Sequence, residues 1–109
     1  MMRSVLVGIA ACVCVASVAA AQDAKAKGEK LYVDQKCALC HSIGEKGNKK
    51  GPLDAVGSKL SADEIRQWIV DAKGMAVKAK AVRKPEMKNY TLTKDELDSL
   101  VAYMSSLKK

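Results

Sequence analysis

The sequence predicts a small all-α fold of three main helices with short turns between them. Three observations carry this. Two apolar stripes at helical spacing each start behind a Ser/Thr-x-x-Glu capping box, a third amphipathic stretch runs into a cysteine pair, and nothing calls for a strand. The first helix covers about Ala24 to Lys36, with Gly28, Leu31 and Tyr32 on one face, and delivers the chain to Cys37. Ile43 to Lys59 follows as a surface loop, since its four glycines, Pro52 and scattered charges show no periodicity. Ser61-Ala62-Asp63-Glu64 opens the second helix: the serine oxygen accepts from the third amide of the helix, and the glutamate reaches back to the serine amide. Its apolar face is Ile65, Trp68, Ile69 and Ala72, and Gly74 marks its end. Lys73 to Leu92 is a second loop, beginning with an Ala/Lys-rich stretch that suits a short helical turn and then meeting Pro85, which disfavours helix at Lys84. Thr93-Lys94-Asp95-Glu96 repeats the capping box and starts the third helix, whose stripe is Leu97, Leu100, Val101, Met104 and Leu107.

Upstream of these elements, residues 1–21 have the layout of a cleaved secretory signal. Met1-Met2-Arg3 supplies the positive charge, Ser4 to Val18 is apolar and uncharged, and Ala19-Ala20-Ala21 offers the small side chains a signal peptidase reads. Cleavage is expected before Gln22, which leaves 22–109 as one domain, exported to the periplasm and without stable membrane insertion. The apolar stretch is near the minimum for a membrane span and rich in Ala and Ser, so a retained anchor is the weaker reading. A lipidated Cys12 would leave too short an apolar region ahead of it.

Of the four cysteines, Cys12 and Cys14 fall in that segment, and Cys37 and Cys40 remain. They stand in Cys37-Ala38-Leu39-Cys40-His41, and this is the one stretch that points directly to a chemistry. Two thiols three positions apart, followed at once by histidine, is the arrangement that attaches a c-type haem. Each sulfur forms a thioether with one vinyl group of the porphyrin, and the imidazole is carried under the iron. A thioredoxin-type pair requires a strand ahead of it, and zinc requires four ligands where only Cys37, Cys40 and the chain's single histidine are present. One such motif implies one haem.

Composition agrees. Residues 22–109 contain no Phe, with Trp68, Tyr32, Tyr90 and Tyr103 as their only aromatics, and small domains of this size often need a cofactor to complete the core. A buried porphyrin supplies the missing apolar area. The same residues carry 18 Lys plus Arg against 12 Asp plus Glu.

At this point the chain resembles a class I c-type cytochrome of the small bacterial monohaem kind. The resemblance rests on Gly28-x-x-x-Tyr32 ahead of the haem motif, the motif itself, Gly51-Pro52 after it, Lys84-Pro85-Glu86-Met87, and a closing helix with Tyr103. It implies a small cytochrome c fold wrapped around one covalent haem. It further implies that the first and last helices cross closely at Gly28 against the Leu100, Tyr103 and Met104 region. The matching second iron ligand is Met87, with His41 as the first. Met75 and Met104 are the rivals, but Met104 already belongs to the apolar stripe of the last helix. The Pro52 carbonyl is the implied acceptor for the imidazole N–H. Trp68 is either a donor to a haem propionate or plain core, and Tyr90 either packs at the haem edge or covers the loop. Lys88 stands where many relatives carry proline.

With both axial positions filled, the implied activity is one-electron exchange by a soluble carrier, not an enzyme. No nucleophile, acid–base pair or phosphate loop is evident. Lys36, Lys46, Lys49, Lys50, Lys84 and Lys88 flank the haem-binding segments and suit redox protein partners with acidic docking surfaces. A monomer that meets no nucleic acid is expected. Two alternatives stay open: a haem-based ligand-binding or sensor protein with a displaceable sixth ligand, and a subunit of a larger redox complex.

Overall fold

The computed structural model describes the backbone of residues 11–109 and the side chains of residues 19–109. Most of the expected signal segment's charged and apolar part, residues 1–10, lies outside the described residues. The elements run α1 (Ala11–Asp34), a 3₁₀ turn (Cys37–Leu39), β1 (Ser42–Ile43), β2 (Lys46–Gly47), α2 (Val56–Lys59), α3 (Ala62–Val70), α4 (Ala72–Ala79) and α5 (Lys94–Ser105). The chain is mostly helical, as the periodicity predicts. Among the described residues no helix is long and apolar enough to cross a membrane.

Both capping boxes form where the sequence puts them. Glu64 N–H donates to Ser61 Oγ at 3.2 Å and Ser61 N–H to Glu64 Oε1 at 3.0 Å, while Glu96 N–H donates to Thr93 Oγ1 at 3.2 Å and Thr93 N–H to Glu96 Oε1 at 2.9 Å. A cap of this kind stabilises its helix by about 1 kcal/mol. The returning amides also hold both glutamate carboxyls below their usual range.

Four expectations need correction. The first helix starts well before Ala24, because the alanine-rich stretch from Ala11 is a strong helix former, and it ends at Asp34 rather than Lys36. Lys36 instead adopts a left-handed conformation (φ 58°) that turns the chain into the cysteine motif. Gly74 does not end the second helix. The break falls at Asp71, whose carboxylate accepts from Gly74 N–H at 3.2 Å, leaving the α3 geometry (φ −140°, ψ 55°) and starting α4. The loop expected without strands contains an antiparallel pair, Ser42 with Gly47 and Ile43 with Lys46. Two residues per strand are too few to leave a periodic signal.

The core is one cluster of Leu31 and Tyr32 from α1, Ile65 and Ile69 from α3, and Leu100, Val101, Tyr103 and Met104 from α5. The α1–α5 crossing dominates it, and Gly28 sets the approach. A Cβ built at Gly28 would collide with the Ser99 carbonyl oxygen and lie 2.7 Å from Tyr103 Cβ. The contact point is thus Tyr103, as the resemblance implies, together with Ser99 in place of its neighbour Leu100. Buried Ser99 is small enough to let the two backbones close. Tyr32 and Tyr103 then meet edge to face, with centroids 6.0 Å apart. At the C-terminal end, Gly57 N–H donates to the Leu107 carbonyl at 2.7 Å and ties α2 to the residues after α5.

Candidate functional site

A cavity of about 330 Å³ lies inside this frame, within the range of small-molecule and cofactor sites. Its walls are almost wholly apolar. Tyr32 of α1, Ile65, Trp68 and Ile69 of α3, and Leu100 and Met104 of α5 form the inner side; Leu53, Val56 and Leu60 come from the first loop and α2. Cys37, Cys40 and His41 line it from the turn after α1, and Pro85, Glu86, Met87 and Tyr90 from the second loop.

The turn that presents the motif is short and self-bonded. Cys40 N–H and His41 N–H both donate to the Cys37 carbonyl, at 3.1 and 2.9 Å, so the two sulfurs and the imidazole are held on one turn of backbone. Both thiols are half-buried and unbridged. Burial pushes the Cys37 thiol above its usual pKa. His41 is held below its ordinary value chiefly by burial, which keeps the ring neutral and able to offer a lone pair.

The acceptor for that ring is not Pro52. His41 Nδ1 lies 3.1 Å from the Gly51 carbonyl, and since a carbonyl only accepts, Nδ1 carries the proton and Nε2 is left with the lone pair. The register explains the shift by one residue. Ser42 N–H donates to Gly51 O at 3.0 Å and Leu53 N–H to Ser42 O at 2.8 Å, a parallel bridge that turns the Gly51 carbonyl, not that of exposed Pro52, toward His41. Gly51 also has no room for a side chain: a Cβ there would strike the Cys40 carbonyl and Arg83 Nη1 and lie 3.0 Å from His41 Nδ1.

Facing this turn, the second loop is pinned just past Met87. Tyr90 N–H donates to the Ile69 carbonyl at 2.9 Å, and Lys73 N–H to Asn89 Oδ1 at 3.0 Å. Lys88 lies over the Tyr90 ring, its Nζ 4.8 Å from the centroid, so the residue that departs from the proline of many relatives covers the loop by a cation–π contact. Of the three methionines weighed from the sequence, Met87 and Met104 reach the cavity wall and Met75 does not. Met104 is buried in the core cluster; Met87 is half-buried on the loop.

Two features escaped the sequence reading. Tyr32 Oη is buried with no hydrogen-bond partner, and burial pushes its pKa up to about 12. Arg83 lines the cavity as its only permanent cation among the described residues. Neither has a local signal, because the tyrosine reads as core and the arginine as a solvated loop charge.

The donor set fits a c-type haem. Two free thiols on one turn, a neutral imidazole with its distal nitrogen available, a thioether side chain on a separate wall and an apolar lining meet at one cavity. Among the described residues no group of three or more His, Cys, Asp or Glu side chains is gathered as a metal cluster, so the zinc alternative has no ligand set there.

A family model described as Cytochrome c matches residues 25–108. No curated protein and no solved structure matches the chain.

Proposed function

The chain belongs to the cytochrome c family, which binds haem c covalently and works by haem-based electron transfer, and from this we propose that it is a soluble carrier with a His41/Met87-ligated iron. The observation that carries the reading is that Cys37, Cys40, His41 and Met87 all open onto one shared cavity. Bound haem supplies a one-electron couple between ferric and ferrous iron. Cys37 and Cys40 would anchor it, each thiol adding to one vinyl group to form a thioether. His41 is oriented by its bond to the Gly51 carbonyl, which fixes the tautomer and leaves Nε2 for the iron. Met87 offers a soft sulfur that favours the ferrous state over what a second imidazole gives. Leu53, Ile65, Ile69 and Leu100 exclude water, and Trp68 and Tyr90 pack the walls. With His41 and Met87 both engaged by the iron, no open position would be left for substrate, and the site would serve electron exchange rather than turnover.

The test is a redox titration followed by visible spectroscopy. A low-spin, six-coordinate haem that titrates reversibly with one electron is expected. Met87→His is expected to stay low-spin while its potential falls, because imidazole donates more strongly to ferric iron. A high-spin oxidised protein that binds exogenous ligands without displacing a methionine would instead support the ligand-sensing alternative.

The rest of the reading concerns where the carrier works. Residues 1–21 act as a signal for export to the periplasm, a reading supported by the exposure of Ala19 to Asp23 on both sides of the expected cleavage point. Intact-mass measurement is expected to give a chain starting at Gln22 plus one haem; a mass retaining residues 1–21 overturns this. The mature protein is a monomer that docks by its lysines on acidic surfaces of redox partners.

A further inference from the structure

We propose that Arg83 is the carboxylate anchor of the haem site, its guanidinium pairing with a haem propionate and thereby joining the Met87 loop to the His41 loop. The inference rests on the carrier reading above for the haem's place in this cavity. Among the described residues only two side chains on the wall carry a permanent formal charge of their own, Arg83 and Glu86. Glu86 is already engaged by Lys84 at 2.6 Å. Arg83 forms no ion pair or side-chain hydrogen bond among the described residues, so its five donors have no protein acceptor. Its guanidinium nevertheless does not point away from the site. It reaches across to the opposite loop, where Nη1 occupies the space that a side chain on Gly51 would need, beside His41.

The propionates are the only anionic groups of haem, and they are planar carboxylates that match a guanidinium in a two-point contact. Trp68, the propionate donor suggested by the family resemblance, offers one neutral N–H and no charge. An unpaired arginine at the mouth of an apolar cavity is the stronger partner, because a charged acceptor there strengthens both the contact and the placement of the ring. Arg83 is therefore a positioning residue for the haem. It also has an electrostatic consequence. Ferric haem carries one more positive charge than ferrous haem, so a cation at this place favours reduction.

The experiment compares the haem-loaded wild type with Arg83→Gln, Arg83→Lys and Lys78→Gln, the last an exposed α4 cation off the cavity wall. Reduction potential and the propionate bending bands of the resonance Raman spectrum are read on each. Arg83→Gln is expected to lower the potential by more than Lys78→Gln does and to shift a propionate band. Arg83→Lys is expected to recover part of the potential while the band stays shifted, since an ammonium supplies charge without the two-point contact. A propionate band unmoved by Arg83→Gln, or a potential no lower than in Lys78→Gln, overturns the assignment. Methionine ligation shows in a separate charge-transfer band of the same oxidised samples, so failure of the carrier reading and failure of the Arg83 assignment appear in different signals.

Discussion

Replacing both Cys37 and Cys40 with alanine is expected to give a colourless and largely unfolded chain. The reason lies in how the core is shared. Tyr32, Ile65, Ile69, Leu100 and Met104 belong to the core cluster and also line the cavity, so most of that cluster faces the cofactor on one side. An empty space of about 330 Å³ at roughly 24 cal/mol per Å³ is an upper bound of about 8 kcal/mol, lowered by whatever collapse the open mouth permits. That is comparable to the whole stability of a small domain, about 5–15 kcal/mol. The chain contains no Phe to compensate. Haem staining after denaturing electrophoresis and far-ultraviolet circular dichroism measure both halves of the statement. A double variant that unfolds cooperatively with wild-type helix content would show that the protein part carries the fold alone.

Gly28→Val is expected to be the most destabilising single substitution outside the cavity. A Cβ at this position meets backbone, the Ser99 carbonyl, rather than the movable end of a side chain, and also lies 2.7 Å from Tyr103 Cβ. The helices must therefore separate, which pulls apart the Tyr32–Tyr103 contact and the core behind it. Overpacking of this severity costs about 3 kcal/mol, or about 12–24 °C in Tm for a domain of this size. Gly28→Ala separates packing from propensity. Alanine gains about 1 kcal/mol of helix propensity over glycine, so a net loss in thermal unfolding of the haem-loaded protein isolates the steric term. Equal or higher Tm for Gly28→Ala would mean that the crossing has slack.

What the sequence discloses and what it conceals divide along the range of the physics. Ser61 and Thr93 announce their helices because a cap is made within four residues, and both boxes form as read. The cysteine motif is equally local, since one turn of backbone carries all three of its functional side chains. Gly74, a residue that favours breaks in general, looks like the end of the second helix, while Asp71 makes the α3–α4 break by capping in competition with the helix. The acceptor of His41 depends on pairing between Ser42 and residues 51–53, a register that two-residue strands do not advertise. Arg83 was passed over for the same reason. Its relation to Gly51 spans two loops, and a lone charge between Val82 and Lys84 looks like a solvated one. Gly28 is legible as a crossing point and Tyr103 as one of its partners, but Ser99 is not, because a small serine leaves no mark in an apolar stripe.

The central claim is that the iron is held by His41 and Met87, and the thioether-to-iron charge-transfer band of the oxidised protein tests it most directly. The band is expected in the wild type, in Met75→Leu and in Met104→Leu, because the former residue is off the cavity wall and the latter is core with a volume-conserving replacement. It is expected to vanish in Met87→Ala, with carbon monoxide then binding the reduced form. A band that survives Met87→Ala and disappears in Met75→Leu or Met104→Leu contradicts the account.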